Sequence, residues 1–160
     1  MPIAAVFSNN WAAPMNRLLL TYKPDDNGFG ELFVTVSAGD FAGKSSAWIG
    51  ENHLRDFETA LGAFPIETGH EPMVEGGYWR DGVLDRVHVR IGVTPGGPRG
   101  LVCVSVELAT PPNPGQEPAM QNRVAVQFLV NYGDLSRFQS SLRDHRDGIE
   151  PQAVLAQSQS

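Results

Sequence analysis

LRDFETAL at positions 54–61 decides the fold, because its pattern of apolar residues returns as LSRFQSSL at positions 135–142. In both stretches Leu, Phe and Leu are spaced by three and four residues, which places all three side chains on one face of a helix. Each stretch follows a run typical of a β-strand, at 45–49 and at 124–130. The sequence therefore predicts two amphipathic helices, each preceded by a strand.

Alternating apolar and polar residues predict further strands around these helices. The complete set of predicted strands is 17–23, 31–37, 43–49, 87–93, 102–108 and 124–130. The order is β-β-β-α, followed again by β-β-β-α. Turns between consecutive strands favour antiparallel pairing. We therefore predict an α+β fold with antiparallel sheets of about six or more strands. The two helices cover the sheets, with pseudo-repeats at 15–62 and 84–147.

The length fits a single domain, which we assign to residues 1–148. Residues 149–160 are mostly polar and are predicted to form a flexible C-terminal tail. The proline-rich segment 110–119 is predicted to be a stiff, extended connector. The aromatic residues Phe41 and Trp48, which flank the third strand, are assigned to the core. Segment 63–82 gives no clear pattern, although 76–79 could form a short strand.

The charge of the chain argues against nucleic-acid binding. The formal net charge is −6, and Arg86, Arg90 and Arg99 are too few to make a basic sheet face. The same balance opposes attraction to an anionic membrane. It suits a soluble protein, or one whose protein partner has a basic face.

The cellular location is predicted from the cysteine content and from the start of the chain. Cys103 is the single cysteine, so an internal disulfide cannot form and a cytoplasmic location is favoured. The first residues lack the basic region of a signal peptide, and the chain has no apolar run long enough to span a membrane.

Known catalytic motifs are missing from the sequence. It has no phosphate-binding loop, dinucleotide fingerprint, nucleophile elbow or zinc-protease helix. The four histidines are far apart and do not have the spacing of a metal site. We therefore predict no catalytic residues, no metal site and no cofactor.

Six residues are candidates for binding a ligand or partner. Tyr78 and Trp79 lie in a glycine-flanked segment, and exposed aromatic residues are good recognition anchors. The other four alternate with the valines of two predicted strands and would share one polar face of a sheet: His88, Arg90, Cys103 and Glu107. A Cys103–His88 nucleophile pair on this face is one alternative, and an ordinary solvated sheet face is the other.

One segment resembles a pattern shared by several uncharacterised bacterial families, some of which look like immunity proteins. The resemblance is carried by Phe41-x-Gly43…Trp48-Ile49…Leu54-x-x-Phe57-x-x-x-Leu61-x-x-Phe64-Pro65. It implies a small cytoplasmic α+β protein without known catalysis. An immunity protein acts by binding a toxin, which is one form of protein interaction.

These observations lead to a hypothesis with one alternative. The main hypothesis is a non-enzymatic binding or protein-interaction module. The alternative is a small-ligand-binding protein or enzyme that uses a pocket between sheet and helices. Self-association into a homodimer stays open, because the edges of antiparallel sheets need to be covered.

Overall fold

A computed structural model of the protein describes residues 16–97, 99–111 and 120–158. Within these residues the chain forms eight strands and two helices, which confirms the predicted α+β class. The elements in chain order are β1 (Arg17–Pro24), β2 (Phe29–Ala38), β3 (Phe41–Gly50), α1 (Glu51–Ala60), β4 (Met73–Arg80), β5 (Val83–Pro95), β6 (Leu101–Ala109), β7 (Arg123–Asn131), α2 (Tyr132–Arg146) and β8 (Ala153–Ala156).

The strands form two antiparallel sheets of four strands each within the described residues, in the orders β3-β2-β1-β8 and β4-β5-β6-β7. The two halves of the chain have the same order of elements, β-β-β-α-β. The last strand of each half joins the sheet of the other half, since β4 pairs with β5 and β8 pairs with β1. Each sheet is therefore completed by a strand from the opposite half.

The two sheets pack against each other around one apolar core. Along β1 the inward residues Leu18 and Leu20 are fully buried, while Leu19 between them is only half-buried. The same alternation holds in β2, β6 and β7, as expected for strands with one face in the core. Strand β3 contacts all four strands of the second sheet and so runs across them.

Both helices bury the apolar faces that the sequence predicts. The first ridge is Leu54, Phe57 and Leu61, and the second is Leu135, Phe138 and Leu142; all six are at most 2% exposed. The two ridges meet edge to face at Phe57 and Phe138, whose ring centroids are 6.3 Å apart. Such pairs contribute about 0.5–1.5 kcal/mol beyond the burial of their area.

Helix α2 begins at a complete capping box. The Asn131 side chain accepts a hydrogen bond from the Asp134 N–H, and the Asp134 carboxylate accepts one from the Asn131 N–H. Burial raises the pKa of Asp134. The hydrogen bonds from Asn131, Ser158 and Arg137 outweigh that effect and hold the pKa below its ordinary value. The carboxylate therefore stays charged at the positive end of the helix.

The predicted flexible tail is wrong for residues 153–156. They form β8, whose Ala153 and Leu155 are buried and whose backbone pairs with β1. The Ser141 hydroxyl of α2 accepts a hydrogen bond from the Val154 N–H on the outer edge of β8. Burial of two alternate side chains and backbone pairing outweigh the polar composition of the flanking residues.

The assignment of Phe41 and Trp48 to the core is also wrong. Phe41 is 66% exposed and Trp48 is 56% exposed. In β3 the buried residues are Ala47 and Ile49, and strand alternation then turns Trp48 to the opposite face. The predictions for the start of the chain and for most of the proline-rich connector fall on residues 1–15 and 112–119, outside the described part.

Segment 63–82, which gave no clear pattern, contains a loop and then β4. The loop is fixed near its middle, where the Tyr132 hydroxyl accepts a hydrogen bond from the Ile66 N–H at 3.0 Å. In the described ranges, neither helix is long and apolar enough to cross a membrane.

Candidate functional site

Strands β4 and β5 extend beyond the end of β6 as a two-stranded arm, formed by residues 77–80 and 83–88. Pairing between β5 and β6 runs from Val89 to Pro95. Among the described residues, 83–88 therefore have β4 as their only neighbour in the sheet. Within the described part of the chain, both edges of the arm therefore lack a further strand neighbour.

The arm ends in a two-residue turn, Asp81-Gly82, between the paired residues Arg80 and Val83. Both turn residues have positive φ, at 53° and 79°. This is the signature of a type I′ hairpin turn, whose twist matches that of the flanking strands. Gly82 takes this conformation without strain because it has no Cβ.

Three large apolar side chains on the arm are exposed. Tyr78 is 51% exposed, Trp79 49% and Val83 67%. The Arg80 guanidinium lies 5.9 Å from the centre of the Tyr78 ring and 3.8 Å from the Asp85 carboxylate. Large aromatic residues that keep half of their surface in water are energetically suited to burial against a partner.

Two β-bulges set the register between arm and sheet. Pairing shifts by one residue between Tyr78 and Trp79, and again between Gly76 and Gly77. Together they place Glu75 opposite Arg90. A regular hairpin continued from the Arg80–Val83 pair would instead place Glu75 opposite His88.

Beside the arm, the outer face of the second sheet contains a trough of about 540 Å³. It is lined by Met73, Arg90, Gly92, Ser105, Val106, Glu107, Ala125, Val126 and Gln127. The floor is low because Gly92 has no side chain, and Ser105 and Ala125 have short ones. The longer side chains form the rim, so the trough follows directly from the sequence on one face of β4, β5, β6 and β7.

Arg90 binds two carboxylates across one row of the sheet. Its guanidinium lies 3.5 Å from the Glu75 carboxylate on β4 and 3.2 Å from the Glu107 carboxylate on β6. These residues are direct cross-strand neighbours. With two carboxylates for one guanidinium, the cluster carries a formal charge of −1 and attracts a cationic group.

His88 is the extra residue of the bulge between arm and sheet. Its Nε2 is buried and has no hydrogen-bond partner among the described residues. Burial lowers the pKa of His88, and the positive charge of Arg86 lowers it further. The imidazole is therefore held neutral, which leaves its buried nitrogen uncharged.

Cys103 lies on the same outer face but far from His88. It is half-buried, its Sγ is 3.9 Å from the Ser105 Oγ, and it pairs with Thr94 of β5. Thr94 is six residues along β5 from His88, which corresponds to roughly 20 Å. The structure therefore does not bring the two residues together, and the Cys103–His88 nucleophile pair is wrong.

The six candidates thus divide into four places. Arg90 and Glu107 are in contact, Tyr78 and Trp79 lie on the arm, and His88 is at the junction between them. Cys103 lies further along β6. Glu75 was not among the candidates, because it lies in segment 63–82, for which the sequence gives no clear pattern. The Asp81-Gly82 pair, a strong hairpin signal, could have revealed the arm.

Within the described ranges, no three or more His, Cys, Asp or Glu side chains are grouped so that they could hold a metal ion. Comparison with known proteins gave no match to a family model, a curated protein or a solved structure.

Proposed function

We propose that this protein is a non-enzymatic binding module that uses the arm and the trough to hold a protein partner. The carrying observation is the exposure of Tyr78 and Trp79, each about half exposed, on a hairpin that extends past the rest of its sheet. The trough continues from the arm along the same two strands. Together they combine aromatic anchors with a polar, charged floor, as protein interfaces do.

A protein with a basic face is the partner that the charges favour. Arg90 is shared by Glu75 and Glu107, and the net charge of the chain is −6. A Lys or Arg side chain entering the trough would find two carboxylates. A phosphate backbone would be repelled by the same pair, which supports a protein over a nucleic acid. A cytoplasmic location is part of this proposal and is supported by the single, half-buried Cys103.

The decisive experiment is capture of the partner followed by measurement with purified proteins. Tagged protein is used to isolate a partner from the cells that express it, and the purified pair is studied by calorimetry. We expect Trp79→Ser and Tyr78→Ser each to weaken binding by about tenfold or more, because buried aromatic anchors dominate interface energies. Glu107→Lys should weaken binding and also reduce its salt dependence.

Phe41→Ser is the matched control, since Phe41 is 66% exposed but belongs to the first sheet. It should leave the affinity unchanged. Equal affinity of the wild type and both arm variants would exclude the arm as the binding surface. An immunity role makes one further prediction, in which the partner is a toxin. Cells that produce the toxin should grow only when they also produce a variant of this protein that still binds it.

A small-ligand-binding role is the second candidate, and the size of the trough favours it. A volume of about 540 Å³ lies within the range of ligand pockets. Ala125→Trp would fill the trough and should block a small ligand, whereas Trp79→Ser should leave that ligand bound. Loss of binding in both variants indicates a protein partner instead.

A further inference from the structure

The outer face of the first sheet carries a second, separate aromatic surface. Phe29, Phe33 and Trp48 are 53%, 36% and 56% exposed. On neighbouring strands, Glu31 pairs with Trp48, and Phe33 pairs with Ser46. Trp48 is therefore the diagonal neighbour of both phenylalanines, at about 7–8 Å. The three rings form one contiguous patch, which we call the aromatic face.

Charged side chains of both signs lie among and around the rings of the aromatic face. The chain has two lysines, Lys23 and Lys44, and both lie on this side of the sheet. The Lys23 ammonium is 5.1 Å from the centre of the Phe33 ring. The Glu31 carboxylate accepts a hydrogen bond from the Ser46 hydroxyl at 2.7 Å. Arg17 completes the face at its far end.

This charge pattern argues against a highly charged ligand. The three cations are offset by Glu31 on the face and by Asp25 and Asp26 in the adjoining turn. A surface whose positive and negative charges nearly cancel, and whose centre is apolar, is complementary to another surface of the same kind. A copy of itself meets that condition, because a two-fold axis brings each patch onto the identical patch.

We propose that two copies of this chain associate through the aromatic face to form a symmetric homodimer. The two outer faces stack as sheets do in a sandwich, about 10 Å apart. The rings then fill the centre of the interface around Glu31, and the Lys23 and Lys44 side chains of each copy reach charges of the other copy at the rim.

The area of the outer face of the first sheet sets the expected strength of the dimer. The four strands of the first sheet, spaced by about 4.8 Å and on average roughly eight residues long, give roughly 500 Å² per copy. The total of roughly 1,000 Å² is at the lower limit for a specific interface. The dimer is therefore expected to dissociate in the micromolar range, independently of the partner that the arm binds.

Sedimentation equilibrium over a range of micromolar concentrations tests the proposal. The wild type should show reversible self-association. Trp48→Ser should weaken it by about tenfold or more, since Trp is enriched among the few residues that dominate interface energies. Phe41→Ser and Trp79→Ser are controls, because both remove an exposed aromatic residue away from the face, and neither should change the dissociation constant. Circular dichroism verifies that each variant is folded.

A charge exchange tests the symmetry of the dimer without removing any ring. Glu31→Lys makes the face more positive, and Lys23→Glu with Lys44→Glu makes it negative. Each variant should self-associate less than the wild type, and a mixture of the two should recover association. A monomeric wild type, a loss of association in Trp79→Ser, or a mixture that stays monomeric would each overturn the proposal.

Discussion

His88 shows how one bulged residue couples the fold to pH. In the folded protein its pKa lies below the ordinary value of 6.5, because the ring is buried and Arg86 is close. In the unfolded chain the ring regains its ordinary pKa. Between the two pKa values the unfolded state binds a proton that the folded state does not, so protons favour unfolding in that window.

We therefore predict that the free energy of unfolding falls as the pH is lowered through 6.5 towards the folded pKa of His88. His88→Gln should flatten this dependence, measured by urea denaturation at a series of pH values. Arg86→Gln should reduce the slope without abolishing it, because burial is the larger cause of the shift. An unchanged slope in His88→Gln would show that other groups control the pH dependence.

At the scale of elements, helices α1 and α2 are joined by an ion pair on a buried carboxylate. Glu58 of α1 is 5% exposed, and the Arg146 guanidinium of α2 donates to both of its carboxylate oxygens at 2.7 and 2.9 Å. The hydrogen bonds to Glu58 raise the pKa of Arg146. Arg143 adds a longer contact at 3.9 Å.

Glu58→Gln should destabilise the protein by roughly 3 kcal/mol, the lower end of the range for breaking a buried pair, because Arg146 keeps some contact with water. Glu51→Gln is the control, since it breaks the exposed Glu51–Arg55 pair at 3.5 Å on the same helix. That change should cost less than about 0.5 kcal/mol. Thermal unfolding of both variants gives the comparison, and equal losses would contradict the prediction.

The elements that could be predicted from the sequence are those with a local signal. The helical ridges at 54–61 and 135–142 and the alternating strands need no knowledge of distant residues. Strand β8 is only four residues long, so its pattern is too short to separate from a polar tail. Its burial depends on β1 and α2, which lie far away in the sequence.

The candidate site was predicted less well than the fold, because it depends on the pairing register of the strands and on how the two sheets pack together. Arg90 and Glu107 lie on one predicted polar face, which strand alternation was enough to suggest, but their contact depends on the register between β5 and β6. Glu75 joins them only because two bulges shift β4 by two residues, which a regular pairing cannot anticipate. The exposure of Trp48 depends on which face of its sheet the other sheet covers, and both faces of β3 contain apolar residues.

At the scale of the whole molecule, the exchange of β4 and β8 makes each half depend on the other. Residues 1–81 contain three strands of the first sheet, and residues 82–160 contain three strands of the second. Each fragment also supplies the edge strand that the other sheet lacks. The inner faces of both sheets share one core, so either fragment alone would leave fully buried residues such as Leu18 and Ile91 in water.

We predict that the fragments 1–81 and 82–160, separated at the Asp81-Gly82 turn, are unfolded alone and assemble when mixed. The apolar surface that each must cover is supplied by the other fragment, and the β4–β5 pairing continues across the cut. Circular dichroism and amide NMR spectra of the mixture should approach those of the intact chain. Replacing the second fragment with 82–148, which lacks β8, should prevent or strongly weaken assembly, because β1 would lose its neighbour on one side. A dispersed NMR spectrum from either fragment alone would show instead that the halves fold independently.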